Sequence, residues 1–160
     1  MANANNVTAN GNSVASGELQ LVGFQLGQEE YGLDILCVQE IIRSQQMTRV
    51  PNLPAYIDGV INLRGRVIPV IDLRRRLGLQ AGGADKHTRI IVVDVNGQVL
   101  GFVVDAVSQV LRLSAESVEA APQMNRSSAD DYVLGVGKIS DRLLLLLDLG
   151  RLMHEEMAAA

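Results

Sequence analysis

The chain repeats itself, and that constrains its fold more than any other feature. Residues 59–76 (GVINLRGRVIPVIDLRRR) lie over residues 135–152 (GVGKISDRLLLLLDLGRL) without a gap at an offset of 76. Gly59/Gly135, Val60/Val136, Arg66/Arg142, Asp72/Asp148, Leu73/Leu149 and Arg75/Arg151 are identical, and the apolar run 67–71 meets the apolar run 143–147. Upstream, YGLDILCVQEIIR (31–43) lies over LGFVVDAVSQVLR (100–112) at an offset of 69, with Gly32/Gly101, Val38/Val107 and Arg43/Arg112 identical. The wider second offset puts an insertion between 112 and 135, where Pro122, Asn125, Ser127, Ser128 and Asp130 form a loop-like stretch. Two copies of one small unit, in the same order, are the simplest reading.

Within a copy the local signals are those of short strands. Residues 19–26 and 89–95 are runs rich in β-branched and aliphatic residues that end at Gly27 and at Asn96-Gly97, the latter a strong two-residue hairpin signal. Second strands follow at 29–34 and 98–103. Asp34 to Val38 is spaced for one helical turn before a strand at 38–43. Residues 60–64 and 66–71 form a further hairpin turning at Arg64-Gly65, matched by Ser140-Asp141 in the second copy. Asp72 and Asp148 are placed to cap a helix start, and Gly78 to end the first helix. Five short strands per copy predict an all-β fold (mainly β with short helices) of two small five-stranded β-barrels, closed or nearly closed, in tandem. The expected division is a disordered Asn-rich tail over 1–17, one barrel over 18–84 ending in the QAGGA linker, the second barrel over 85–150, and a C-terminal helix and tail over 151–160.

Composition removes several functions. The net charge of -4 and pI near 5.1 oppose nucleic-acid binding, which draws on Lys and Arg at phosphates. Two histidines and one cysteine cannot assemble a zinc site of the usual kind. The leucine run 143–147 is far short of the ~20 residues that span a bilayer. The N-terminus lacks the basic and apolar regions of a signal peptide, so a cytoplasmic protein is expected. Cys37 sits in the apolar run ILCVQEII as a small core residue, and neither His87 nor His154 has a nucleophile beside it. No enzymatic activity and no cofactor are expected.

Arginine carries most of the positive charge, with twelve of the 14 basic residues. Arg74, Arg75 and Arg76 read as a solvated helix face. Arg64, at a hairpin tip between apolar strands, faces Glu40 if the barrel closes; such a pair could fix the rim or offer a forked donor to a partner carboxylate. The five aromatics, Phe24, Tyr31, Tyr56, Phe102 and Tyr132, are spread over both copies and make a poor groove for proline-rich peptides.

The segments EEYGLDILCVQEI (29–41), RVPNLPAYIDGVINLRGRVIPVIDLRRRLGL (49–79) and LGFVVDAVSQVLRL (100–113) closely resemble the CheW family of bacterial chemotaxis coupling proteins, over about residues 18–155. The resemblance implies a single CheW-like unit of two SH3-like barrels, without catalysis, that couples the cytoplasmic tips of chemoreceptors (methyl-accepting chemotaxis proteins) to the histidine kinase CheA. A chain of this length without kinase or receiver domains is expected to be the stand-alone adaptor, recruited to receptor arrays at the inner membrane face. Carried over by position, the receptor groove would comprise Val38, Glu40, Ile41, Arg64 and Val110. The surface facing the CheA regulatory domain would include Gly59, Asn62 and Leu63, with docking between CheW-like domains extending into rings. An adaptor of a separate receptor or surface-motility pathway, and a generic SH3-like peptide-binding module, are the alternatives.

Overall fold

The computed structural model describes residues 17–80, 82–120, 132–150 and 152. The strands are β1 (Glu18–Leu26), β2 (Glu29–Asp34), β3 (Val38–Arg43), β4 (Gly59–Leu63), β5 (Arg66–Asp72), β6 (Arg89–Val95), β7 (Gln98–Val104), β8 (Ala106–Ser114), β9 (Val118–Ala120), β10 (Val133–Ile139) and β11 (Arg142–Leu147). A one-turn helix, α1 (Leu73–Arg76), follows β5, and 3-10 turns occupy Ile35–Cys37 and Ala115–Ser117. The turn chemistry read from the sequence is in place. Arg64-Gly65 and Asn96-Gly97 have positive φ at both positions (52° and 84°; 54° and 85°), as type I′ hairpins require. Asp72 accepts from the Arg74 N–H at 3.1 Å to start α1. At its end, with Gly78 at φ 80°, the Gly78 and Leu79 N–H groups reach back to the Arg75 and Arg74 carbonyls. The loop predicted over 122–131 and the tail helix predicted from 151 onward fall outside the described residues, save Leu152, whose N–H donates to the Asp148 carbonyl.

The fold is two SH3-like β-barrels, but they do not divide the chain at 84/85. One sheet runs β3-β6-β7-β5-β4 and the other β8-β1-β2-β11-β10-β9. Each sheet takes its first hairpin from one copy and its remaining strands from the other, so the copies exchange β1-β2 for β6-β7. The connections explain the exchange. Only a three-residue 3-10 turn joins β2 to β3, and only Asp105 joins β7 to β8. A 3-10 turn of three residues advances about 6 Å. To join its own hairpin's sheet, β3 would have to cross β1 to the far edge, roughly 10 Å away. The chain instead passes straight into the other sheet.

The exchange obeys the repeat closely. The parallel pair β5·β7 sets Val70 opposite Gly101, and its counterpart β11·β2 sets Leu146 opposite Gly32. These glycines are identical between copies, and at both the side chains of neighbouring strands fill the space a Cβ would take: one on Gly101 would lie 2.8 Å from Ile90 Cγ2, and one on Gly32 3.1 Å from Leu144 Cδ2. Closure is also repeated. Thr48 and Val60 exchange backbone hydrogen bonds of 2.9 Å beyond the end of β3, and β9 pairs with β10 at the equivalent place.

Packing follows from this topology. Ile61, Ile68, Val70, Ile90 and Val92 fill one barrel, and Leu19, Leu21, Leu111, Leu113, Leu144 and Leu146 fill the other. The largest cluster belongs to both: Val22, Phe24, Tyr31 and Leu33 from one sheet meet Ile71, Ile91, Val93 and Phe102 from the other.

A polar clasp ties the barrels at one crossover. Arg74 Nε and Nη2 donate to the two Asp105 oxygens at 2.8 and 2.6 Å, and Asp105 also accepts from the Gly27 N–H at 2.8 Å. Arg74 thus belongs to a fork, Arg75 pairs with Asp58 at 2.7 Å, and Arg76 lies 4.4 Å over the Tyr132 ring. This corrects the solvated-face expectation: each guanidinium is placed to hold structure. The Arg74 hydrogen bonds hold the Asp105 carboxyl below its ordinary value despite partial desolvation. A carboxylate whose pKa is lower folded than unfolded adds stability above about pH 4 and loses it as pH falls through the folded value. Asp105→Asn is therefore expected to cost about 2 kcal/mol at neutral pH. Urea denaturation at a series of pH values should show the gap to wild type closing in acid; a gap of constant size would disprove the electrostatic account.

Candidate docking surface

Strands β3 and β8 are the edges at which the two sheets begin, and they occupy equivalent places in the repeat. On β3, a register shift between Val38 and Glu40 decides which residues share a face. Val38 opposes Val93 and Ile41 opposes Ile91, both members of the shared core, whereas Glu40 and Ile42 oppose Val92 and Ile90 of the single-barrel core. The bulge therefore puts Val38 and Ile41, three residues apart, on one face. On β8 the same shift sets Val107 opposite Phe24 and Val110 opposite Val22. Val38 and Val107 pack against the shared core, while Ile41 and Val110 reach its margin and are 41% and 55% exposed. Both edge strands thus present an aliphatic side chain, at the same repeat position, where the barrels meet.

Glu40 and Arg64 are brought together as the sequence suggested: Arg64 Nη2 donates to Glu40 Oε2 across the seam between β3 and the β4-β5 tip. Arg64 holds the left-handed conformation at φ 52°. Asn is the favoured residue there, as Asn96 is at the β6-β7 tip, so an arginine is conformationally more costly. The ion pair has no counterpart in the second copy, where Gln109 and Ser140 stand at the equivalent positions.

The other expected contacts are placed unevenly. Asn62 is exposed and its Oδ1 accepts from the Gly65 N–H at 2.9 Å, holding the same tip. Leu63 is half-buried against the β4-β5 barrel core. Gly59 is buried, and a Cβ there would lie 2.9 Å from the Thr48 carbonyl, so it supplies close backbone approach and no side-chain surface. Sequence reasoning missed Leu36, 71% exposed on the 3-10 turn beside Val38, and the repeat-related pair Val67 and Leu143, 70% and 57% exposed. The offset of 76 that aligns those two was the available signal.

Phe24, Tyr31, Phe102 and Tyr132 are buried, leaving only Tyr56 partly exposed among the aromatics. A proline-rich peptide would find no aromatic wall. Among the described residues, no cluster of His, Cys, Asp and Glu could hold a metal, and no helix is long and apolar enough to cross a membrane.

The family model of the CheW-like domain matches residues 20–157. The chemotaxis protein CheW of Klebsiella aerogenes is 46% identical over 136 residues, spanning 84% of this chain and 82% of the relative. Its namesake in Helicobacter pylori is 38% identical over 138 residues, spanning 86% and 83%. The crystal structure of the scaffolding protein TtCheW from Thermoanaerobacter tengcongensis matches with a TM-score of 0.74 at 38% identity, covering 81% of this chain and 88% of that one. With two barrels of the same fold and a family match over residues 20–157, the chain belongs to the CheW-like family of chemotaxis adaptor and scaffold proteins.

Proposed function

We propose that this adaptor works without catalysis in the cytoplasm, coupling the tips of chemoreceptors to the kinase CheA in arrays at the inner membrane face. Val38, Ile41 and Val110 line a groove for one helix of the receptor tip. The carrying observation is that Ile41 and Val110, equivalent in the repeat, both leave aliphatic surface exposed at the margin of the shared core. This arrangement suits helix-in-groove recognition, in which an apolar helical stripe fills an aliphatic trough. Glu40 and Arg64 order the rim of that groove. The β4-β5 edge with Asn62 and Leu63 faces the CheA regulatory domain, Gly59 serving only its backbone packing. Linked contacts in an array raise effective concentration, so each can be weak alone.

Val38→Glu puts a charge against apolar surface and is expected to reduce retention of a receptor signalling-tip fragment by at least about tenfold. Arg64→Glu faces Glu40 with a like charge and is expected to weaken the same interaction less. Co-sedimentation of each variant with receptor fragment, with CheA and with both together separates the two surfaces. Wild-type retention of receptor by Val38→Glu would remove the groove assignment.

A further inference from the structure

Building on the groove reading, we infer that Arg43, Lys86 and Arg89 form a basic landing site for carboxylates on the receptor helix, and that this one-sided charge sets the direction in which the helix lies. The apolar part of the groove is pseudo-symmetric: Val38 and Ile41 on β3 are matched by Val107 and Val110 on β8. Aliphatic contacts alone would accept a helix in either direction. The two lips differ two residues further along each strand. Arg43 follows Ile41 on the same face of β3 and stands directly opposite Arg89, whereas Arg112 follows Val110 and stands opposite Gln20. Like charges directly opposed across strands are unfavourable unless an anion joins them.

The cationic side of the groove has room for such a group. Arg43, Ser44, Asp85, Lys86, Thr88 and Arg89 line a cleft of about 310 Å³. Neither Arg43 nor Lys86 has a carboxylate partner among the described residues. Arg89 Nη1 is spent on the Lys86 and Thr88 carbonyls, at 3.0 and 2.9 Å, which fixes the guanidinium at the cleft. Asp85, the only acid among the described residues that line the cleft, accepts from the His87 N–H at 2.7 Å and lies 3.4 Å from the Thr88 hydroxyl, so it is committed to its own turn. Three cations against one committed carboxylate make a local positive patch on a chain of net charge -4. Acidic side chains beside the apolar stripe of a helix complement it, and steering by rim charge of this kind sets register and orientation more than total affinity.

The test uses the full chain and a soluble receptor signalling-tip fragment carrying a nitroxide at one end. In wild type, paramagnetic broadening of amide signals is expected at one lip, around either Ile41 or Val110. The charge-reversed variant R43E/K86E should keep its folded amide spectrum, bind on the order of tenfold more weakly at low salt, and show broadening at both lips. One-sided broadening and unchanged affinity in R43E/K86E would overturn this inference and, with binding still lost in Val38→Glu, leave the groove standing. Undiminished binding by Val38→Glu would instead overturn the groove reading itself. Displacement of the cleft signals by inorganic phosphate at constant ionic strength, without effect on the fragment's orientation, would mark a free-anion site and also overturn the inference.

Discussion

Cut between residues 84 and 85, the protein is expected to yield two pieces that are unfolded alone and assemble when mixed. The first piece holds β1 to β5 but no complete sheet: β1-β2 lacks β8 and β11, and β3 lacks β6, its only strand partner among the described residues. What remains is two isolated hairpins, and a lone hairpin is marginal at best in water. Phe24, Tyr31 and Leu33 would also lose Ile91, Val93 and Phe102 from the shared core. The short 3-10 link after β2 prevents the piece from closing on its own hairpin, for the steric reason given above. Circular dichroism and amide spectra should show disorder for each piece and native dispersion on mixing. A folded, monomeric barrel from residues 18–84 would disprove the exchanged topology.

The sequence reading located nearly every strand, turn and cap because those are set by nearest neighbours. Asn96-Gly97, the cap at Asp72 and Gly78 each announce a local backbone geometry whatever lies far away in the chain. Strand partnership is a different quantity. In a duplicated chain the hairpin β1-β2 and the hairpin β6-β7 present equivalent faces to either set of remaining strands, so hydrophobic pattern cannot choose between them. The choice falls to the length of two links, and the shorter of them is the single residue Asp105 between Val104 and Ala106.

The candidate site divides along the same line. The Glu40–Arg64 pair was legible because a charged residue at a tight turn must point somewhere, and the barrel seam supplies one acid. Which β3 residues share a face was not legible, because simple alternation puts Val38 with Glu40 rather than with Ile41. The bulge reverses this, and it depends on long-range pairing with β6. The basic cleft was missed for a related reason: Arg43, Lys86 and Arg89 lie in different segments and converge only when β3 pairs with β6.

Phe102→Ala should destabilise both barrels together, by about 3–5 kcal/mol. Phe102 is fully buried on β7, opposite Ile91 on β6 and beside Ile71 on β5. Its cluster continues into the other sheet through Phe24 and Tyr31, whose rings stack at 5.8 Å. Truncation leaves a ring-sized void, and the strand backbones around it are held by ladders on both sides, so collapse into the void is limited. A domain of this size has about 5–15 kcal/mol in total, so the loss consumes a large share of it. The melting point should fall by roughly 10 °C. The form of the transition is the sharper readout. Because the cavity opens into a core common to both sheets, amides of β1, β2 and β11 should lose protection in step with those of β5, β6 and β7, in a single transition. Val70→Ala, in a cluster confined to one barrel, provides the comparison, with a smaller loss from fewer buried methyl groups. If Phe102→Ala unfolded β3 to β7 while β1, β2 and β8 to β11 stayed protected, the barrels would be separable units, and the shared core would not be what holds this adaptor together.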